Sequence, residues 1–254
     1  MAYIISVINN KGGTGKTTTV LNLGAALARK RKRVLLVDLD SQCNLSTSFA
    51  AETGEKGIGD LLLGQCTPDD AIISNGKISI MPATEKLLDV EFQMNNEPGR
   101  EYMLRENLEK IQDRFDYILI DCPPSLGTLS VNSMVAAQSF IVPMQAENFA
   151  FIGLDRIMHI SEKVKKRMNP SLELEGILFV KLVPHTKFSR AVITNLSDNP
   201  NFSGKLFNTY IRQDISLMES AAFKQSVFDY APKGRGAQDY LDFANELIKR
   251  HGKK

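Results

Sequence analysis

Residues 10–18 read Asn10-Lys11-Gly12-Gly13-Thr14-Gly15-Lys16-Thr17-Thr18, and this stretch decides the fold. Gly15, Lys16 and Thr17 complete the second half of the phosphate-loop pattern G-x-x-x-x-G-K-[ST], with Asn10 standing where the pattern begins with glycine. Phosphate oxygens are held by successive backbone N–H groups that converge on them, and Gly12, Gly13 and Gly15 carry no side chain to block that approach. The pattern has meaning only between a strand and a helix, and both are predicted: Tyr3–Asn9 reads as a short buried strand, and Val20, Leu23, Ala26 and Leu27 recur at helical spacing behind the glycines. A helix beginning near Lys16 turns its N-terminal N–H groups and its dipole toward the same phosphates. Lys16 is placed to reach β- and γ-phosphates, and the Thr17 hydroxyl is the expected Mg²⁺ ligand. Thr14 and Thr18 belong to the same nucleotide-binding stretch.

Arg33–Asp38 is a continuous apolar run bounded by charges, the pattern of a strand buried on both faces of a parallel sheet. Similar runs follow at Lys77–Met81, Tyr117–Asp121, Ser139–Pro143 and Gly176–Val183. Helical patterns lie between and after them, over Gly99–Phe115, Phe151–Met168 and Ala237–Arg250. Strands alternating with helices imply right-handed crossovers and one parallel sheet covered on both faces, an α/β fold. No linker, repeat or biased segment interrupts the order, so residues 1–254 read as a single domain, with the sheet running to about residue 210.

An ATP-hydrolysing loop needs carboxylates at the C-terminal ends of neighbouring strands, because ligands of open α/β sheets lie in that crevice. Two strands end that way, in Val37-Asp38-Leu39-Asp40 and in Ile120-Asp121-Cys122-Pro123-Pro124. Lys11 adds a second cation at the front of the loop, able to neutralise charge developing in phosphoryl transfer.

Lys11-Gly12-Gly13-Thr14-Gly15-Lys16-Thr17-Thr18 resembles the deviant Walker A of the ParA/MinD class of P-loop ATPases. The resemblance implies a P-loop NTPase with three α/β/α layers around a mostly parallel sheet. It also implies that Lys11 reaches across an ATP-bound homodimer to the partner's phosphates, that Asp40 polarises or orients the attacking water and belongs with Thr17 and Asp121 to the metal site, and that Asp121 holds Mg²⁺ through water. It extends through Gln145-Ala146-Glu147, Gly153-Leu154, Gly176-Ile177-Leu178, Leu217, Glu219 and Lys233-Gly234-Arg235-Gly236-Ala237 to Tyr240-Leu241, which resemble the small ParA/Soj partition ATPases. As in that subgroup, the chain opens directly on its first strand. There are departures. The family's Asp-Pro-Gln-Gly-Asn appears as Asp40-Ser41-Gln42-Cys43-Asn44, which should loosen or redirect that loop. Its Pro-Arg-Asn near the adenine appears as Arg212-Gln213-Asp214, leaving Asp214 as the base-site candidate. A DNA-binding arginine of partition proteins falls near Ser216.

Composition agrees with an ordinary folded chain: 43% apolar and 24% charged residues exclude disordered and low-complexity classes. No run approaches the roughly 18 apolar residues of a membrane span. With no secretory leader pattern and three scattered cysteines, the expected location is the cytoplasm, in association with the nucleoid if DNA is bound. Cys43, Cys66 and Cys122 do not resemble the cluster ligands of related iron–sulfur reductases, and His159, His185 and His251 stand apart, so neither supports a metal site. The net charge of +2 is uneven: residues 1–150 hold 14 Lys/Arg against 18 Asp/Glu, residues 151–254 hold 17 against 11. Arg29–Arg33 reads as the solvated end of the first helix. Lys163, Lys165, Lys166, Arg167, Lys187, Arg190, Lys205, Arg212, Lys224, Lys233 and Arg235 offer a composite surface for non-specific DNA. Phe202, Phe207 and Phe223 read as core. The expected activity is Mg²⁺-dependent ATP hydrolysis that drives partition or positioning of DNA, stimulated by a ParB-like partner protein. A MinD-like ATPase acting on a membrane or protein assembly is the alternative, although the tail 247–254 is shorter than a MinD-type anchor. A non-hydrolysing nucleotide switch is a third reading.

Overall fold

The computed structural model describes residues 1–49, 56–147 and 150–252. Seven strands form one sheet in the order β3-β4-β2-β5-β1-β6-β7: β1 Tyr3–Val7, β2 Val34–Asp38, β3 Ile73–Asn75, β4 Ile78–Met81, β5 Tyr117–Asp121, β6 Ser139–Met144 and β7 Glu173–Phe179. All neighbours run parallel except β3, which pairs antiparallel with β4. The helices are α1 Lys16–Arg29, α2 Asn44–Ser48, α3 Ile58–Leu62, α4 Leu87–Met94, α5 Met103–Glu109, α6 Thr128–Ala136, α7 Ala150–Arg167, α8 Lys187–Asp198, α9 Ser216–Ala222, α10 Val227–Tyr230 and α11 Arg235–His251.

Alternate residues of each strand enter separate cores, as the two-residue period of a strand requires. Leu35 and Val37 join Ile4, Ile118 and Ile120 under the layer containing α3 to α8. Val34 and Leu36 join Ile5, Val7 and Leu119 under α1, α10 and α11. The central strands are therefore apolar on both faces, which is why they read as unbroken runs. Helix α1 ends with Arg31 in a left-handed conformation at φ 65°. Its N–H donates to the Ala28 carbonyl, and that of Lys32 to Leu27. This Schellman-type cap places the Arg29–Arg33 run at the negative end of the helix dipole, as expected.

Three expectations need correction. The helix over Gly99–Phe115 is broken: α5 covers only its middle and 3₁₀ turns flank it. The Asn132 side chain of α6 accepts the Leu104 N–H and donates to the Arg100 carbonyl, diverting backbone groups that a continuous helix would have paired. Leu104, Leu108, Ile111 and Phe115 are buried as their spacing predicted. The last strand begins three residues earlier than Gly176 and stops at Phe179, because Lys181 turns the chain through φ 50°. Beyond β7 only the isolated bridges Ile177–Leu206 and Leu182–Arg212 extend the sheet toward residue 210. Gly176 allows this close approach, since a Cβ there would lie 2.7 Å from the Phe207 ring. Phe202 and Phe207 are core, but Phe223 is 64% exposed and stacks on Tyr230.

Candidate functional site

Register brings the site together. Val7 pairs with Asp121 across β1 and β5, and Asp38 pairs with Asp121 across β2 and β5. The phosphate loop leaving β1 and the two aspartates thus emerge at one level of the sheet, at its C-terminal edge.

The loop is held in shape from outside. Asn9 donates its side-chain amide to the Pro143 carbonyl and accepts the Lys11 N–H. Thr14 Oγ1 and Lys16 Nζ both donate to the Lys11 carbonyl, at 3.2 and 3.3 Å. Gly13 and Gly15 have φ of 73° and 79°, conformations that side-chain-bearing residues rarely adopt. A Cβ on Gly12 or Gly13 would meet no protein atom within 4 Å, so these glycines border open space. Lys16 itself is only 6% exposed. Asn10, in place of the pattern's first glycine, faces α7, where a Cβ on Gly153 would lie 2.8 Å from its Oδ1.

The acidic groups divide in character. Both oxygens of Asp121 are buried and neither has a hydrogen-bond partner at ordinary geometry. Burial, then the charge of Asp38, raises its pKa well above the usual carboxylate range, while Thr17 and Lys16 act in the opposite direction. Asp38 is fully buried too, but its oxygens accept the N–H and hydroxyl of Ser46 and the N–H of Asp40. Burial outweighs these bonds and pushes its pKa up to about 6. Asp40 is also buried, at 7% exposed, near enough for its charge to act on Asp38 and Asp121, and it accepts the Gln42 N–H. The loop after it keeps a left-handed residue at Cys43, φ 53°, which occupies the family's glycine position.

The residues fit the magnesium implied by the loop. A buried carboxylate with no partner of ordinary hydrogen-bond geometry, beside the Thr17 hydroxyl, is the donor chemistry of a hard cation. Among the described residues no three His, Cys, Asp or Glu side chains form a cage for a metal ion, which leaves water and phosphate oxygens to complete the shell, the usual arrangement for Mg²⁺.

Lys11 points elsewhere: its ammonium pairs with Glu147, and both side chains are well exposed. Thr18 and Asp214 line a cavity of about 310 Å³ with Gly15, Val180, Lys181 and Gln213. Asp214 also accepts the N–H groups of Ser216 and Gly236. Its pKa is lowered because these bonds outweigh its burial. Arg212 makes a bidentate pair with Asp239, so it belongs to the wall of this region and leaves the composite basic surface. The other lysines and arginines proposed for that surface are exposed.

Sequence reasoning missed two groups. Lys181 donates to the Gly13 carbonyl at 2.9 Å, as Gln145 does at 2.8 Å. Gln145 was visible only as part of a matching stretch, and Lys181 lies at the end of an apolar run with no motif around it.

The family described as an AAA domain matches residues 2–174. Over 251 residues the chain is 37% identical to the sporulation initiation inhibitor protein Soj of Bacillus subtilis, covering 97% of this chain and 98% of that protein. It is 36% identical over 253 residues to the chromosome partitioning protein ParA of Caulobacter vibrioides, covering 97% and 94%. The crystal structure of cobyrinic acid a,c-diamide synthase from Mycobacterium smegmatis with bound ADP and magnesium superposes with a TM-score of 0.87 at 33% identity, covering 100% of this chain and 96% of that one. No helix among the described residues is long and apolar enough to cross a membrane. A phosphate loop with paired lysines, two strand-end aspartates level with it, and near-full-length identity to Soj and ParA lead to one assignment: the chain belongs to the ParA/Soj family of P-loop ATPases.

Proposed function

We propose that this chain, acting as one ATPase domain over residues 1–254, binds ATP with Mg²⁺, dimerises in that state, and partitions or positions DNA. The reading rests above all on the bare, buried carboxylate of Asp121 level with the phosphate loop. Lys16 and the amides of residues 12–17 bind the phosphates, and Thr17 and Asp121 hold the metal. Mg²⁺, when bound, neutralises phosphate charge and so favours loss of the γ-phosphoryl group. Asp40 orients the water that attacks the γ-phosphorus as the bond to ADP breaks. Lys11 leaves Glu147 and serves the partner subunit's phosphates. An exposed pair of this kind is worth about 1 kcal/mol or less, so the exchange is thermodynamically accessible. The cavity beside Thr18 and Asp214 takes the adenine.

The name of the Caulobacter relative, a chromosome partitioning protein, and the exposed basic residues of the C-terminal portion support non-specific DNA as the surface, and the resemblance to partition ATPases implies a ParB-like protein as the stimulating partner. The test is co-sedimentation with random-sequence DNA across a salt series, with and without ATP, beside a parallel arm with anionic lipid vesicles. Binding that needs ATP and falls steeply with salt is expected. Binding indifferent to both overturns the DNA reading, and ATP-dependent vesicle binding in its place selects the MinD-like alternative.

A further inference from the structure

The Gly13 carbonyl receives two donors from two different strand ends. Gln145 follows β6 and Lys181 follows β7, and both reach the same oxygen, at 2.8 and 2.9 Å. The peptide joining Gly13 to Thr14 is trans. In a trans peptide the carbonyl and the following N–H point in opposite directions within one plane. Anchoring the Gly13 oxygen therefore also sets the direction of the Thr14 N–H.

That plane needs an external anchor. Gly13 sits at φ 73° with no protein atom near the place a Cβ would take, and glycine populates both signs of φ with little preference. The neighbouring planes are tied by other groups: the Lys11 N–H to Asn9, and the Lys11 carbonyl to Thr14 and Lys16. Lys181 reaches its position from a strained backbone at φ 50°, a conformation adopted by only a few per cent of non-glycine residues. The strain directs a long cationic side chain back over the loop, where an ordinary strand residue would continue away from it.

We infer that Lys181 and Gln145 form a clamp on the Gly13 carbonyl that aims the Thr14 amide into the phosphate cradle before nucleotide arrives. Both are positioning residues, acting through the loop backbone. The clamp makes recognition of the phosphate tail depend on two strand ends outside the loop motif. This inference rests on the reading of residues 11–17 as a phosphate site.

Lys181→Asn tests it, because asparagine tolerates the left-handed backbone while removing the ammonium; Lys181→Arg restores a donor, and Gln145→Leu removes the second one. Two readouts are needed: calorimetric affinity for ADP and for adenosine, and amide hydrogen exchange at Thr14 in nucleotide-free protein. Lys181→Asn and Gln145→Leu are each expected to weaken ADP binding about three- to tenfold, the loss of a hydrogen-bond's net worth, and Gln145→Leu, which lies outside the lining of the adenine cavity, to leave adenosine binding unchanged. Thr14 exchange should quicken in both and recover in Lys181→Arg. Equal loss of ADP and adenosine affinity in Gln145→Leu would overturn the clamp, as would unchanged ADP affinity with unchanged exchange in both variants. If the parent protein binds no ADP, the phosphate reading fails, and the exchange measurement still decides whether the clamp orders the loop.

Discussion

Asp38 and Asp121 face each other in register across β2 and β5, both fully buried, yet only Asp38 is saturated with hydrogen bonds. Asp38 spends its oxygens on the turn that follows it: Ser46, which it holds, in turn accepts the Ala83 N–H beyond β4. Asp121 spends none. The first carboxylate builds the wall of the crevice, and the second is left free for a cation.

Asp121→Asn should separate folding from function. Removing an unpaired buried charge relieves a desolvation penalty, so the metal-free variant is expected to melt at the same temperature as the parent or a few degrees higher. Mg²⁺ should no longer raise its melting temperature in the presence of ADP, and turnover should fall at least about a hundredfold. Thermal melts in EDTA and in Mg²⁺–ADP check this; a destabilised variant with an intact magnesium response would contradict it.

The raised values at Asp38 and Asp121 make magnesium uptake proton-linked. A metal ligand such as Asp121 must be ionised, and a cation bound there also favours the ionised form of neighbouring Asp38, so binding of Mg²⁺–ADP should release protons, with the Asp38 share growing as the pH falls from 8 toward 6. In the metal-free protein the folded state holds these protons more tightly than the unfolded chain does. The part of the stability contributed by Asp38 is fully present below the ordinary carboxylate value near 3.8 and is lost as the pH rises through about 6. Calorimetry in buffers of different ionisation enthalpy measures the release, and its absence at pH 6 would refute the coupling.

Asp40→Ala is expected to keep ATP affinity within about twofold and to lose turnover by a factor of about ten or more, the scale of a lost water-orienting group. Single-turnover hydrolysis beside equilibrium ATP binding gives both numbers. Unchanged turnover removes Asp40 from the mechanism.

Lys11→Ala should leave the monomer folded, because its partner Glu147 is exposed and the pair contributes little. The expected losses are in ATP-dependent dimerisation or hydrolysis, read by light scattering and phosphate release. A variant that dimerises and hydrolyses normally contradicts a role across the interface.

Arg31→Gly tests the end of α1. A left-handed residue at φ 65° favours glycine, and the exchange should stabilise the fold by about 0.5–1 kcal/mol without changing ATP affinity. Chemical denaturation measures it. A loss of stability would show that the arginine side chain matters more than the backbone it strains.

The phosphate loop, the parallel strands and the two aspartate-ended runs were legible in the sequence because each is a local pattern with a local cause: glycines where amides must converge, apolar runs where both faces are buried, carboxylates at strand ends. The hairpin strand β3 was overlooked although Asn75-Gly76 is a turn signal, since three residues make too short a run to show a period. What sequence could not decide was which of two similar aspartates is free, where Lys11 rests in one subunit, or that Lys181 and Gln145 meet on one carbonyl. Asp38 is taken up by Ser46 and the Asp40 N–H because the turn after β2 folds back onto it, whereas the fold sets Asp121 beside Thr17 and Lys16 of the phosphate loop, more than a hundred positions away. Lys181 reaches a loop 168 positions away in the chain because β7 and β1 end on the same edge of the sheet. Local chemistry thus specified the elements and the kind of ligand, and packing over long sequence separations decided which side chains remain free to meet it.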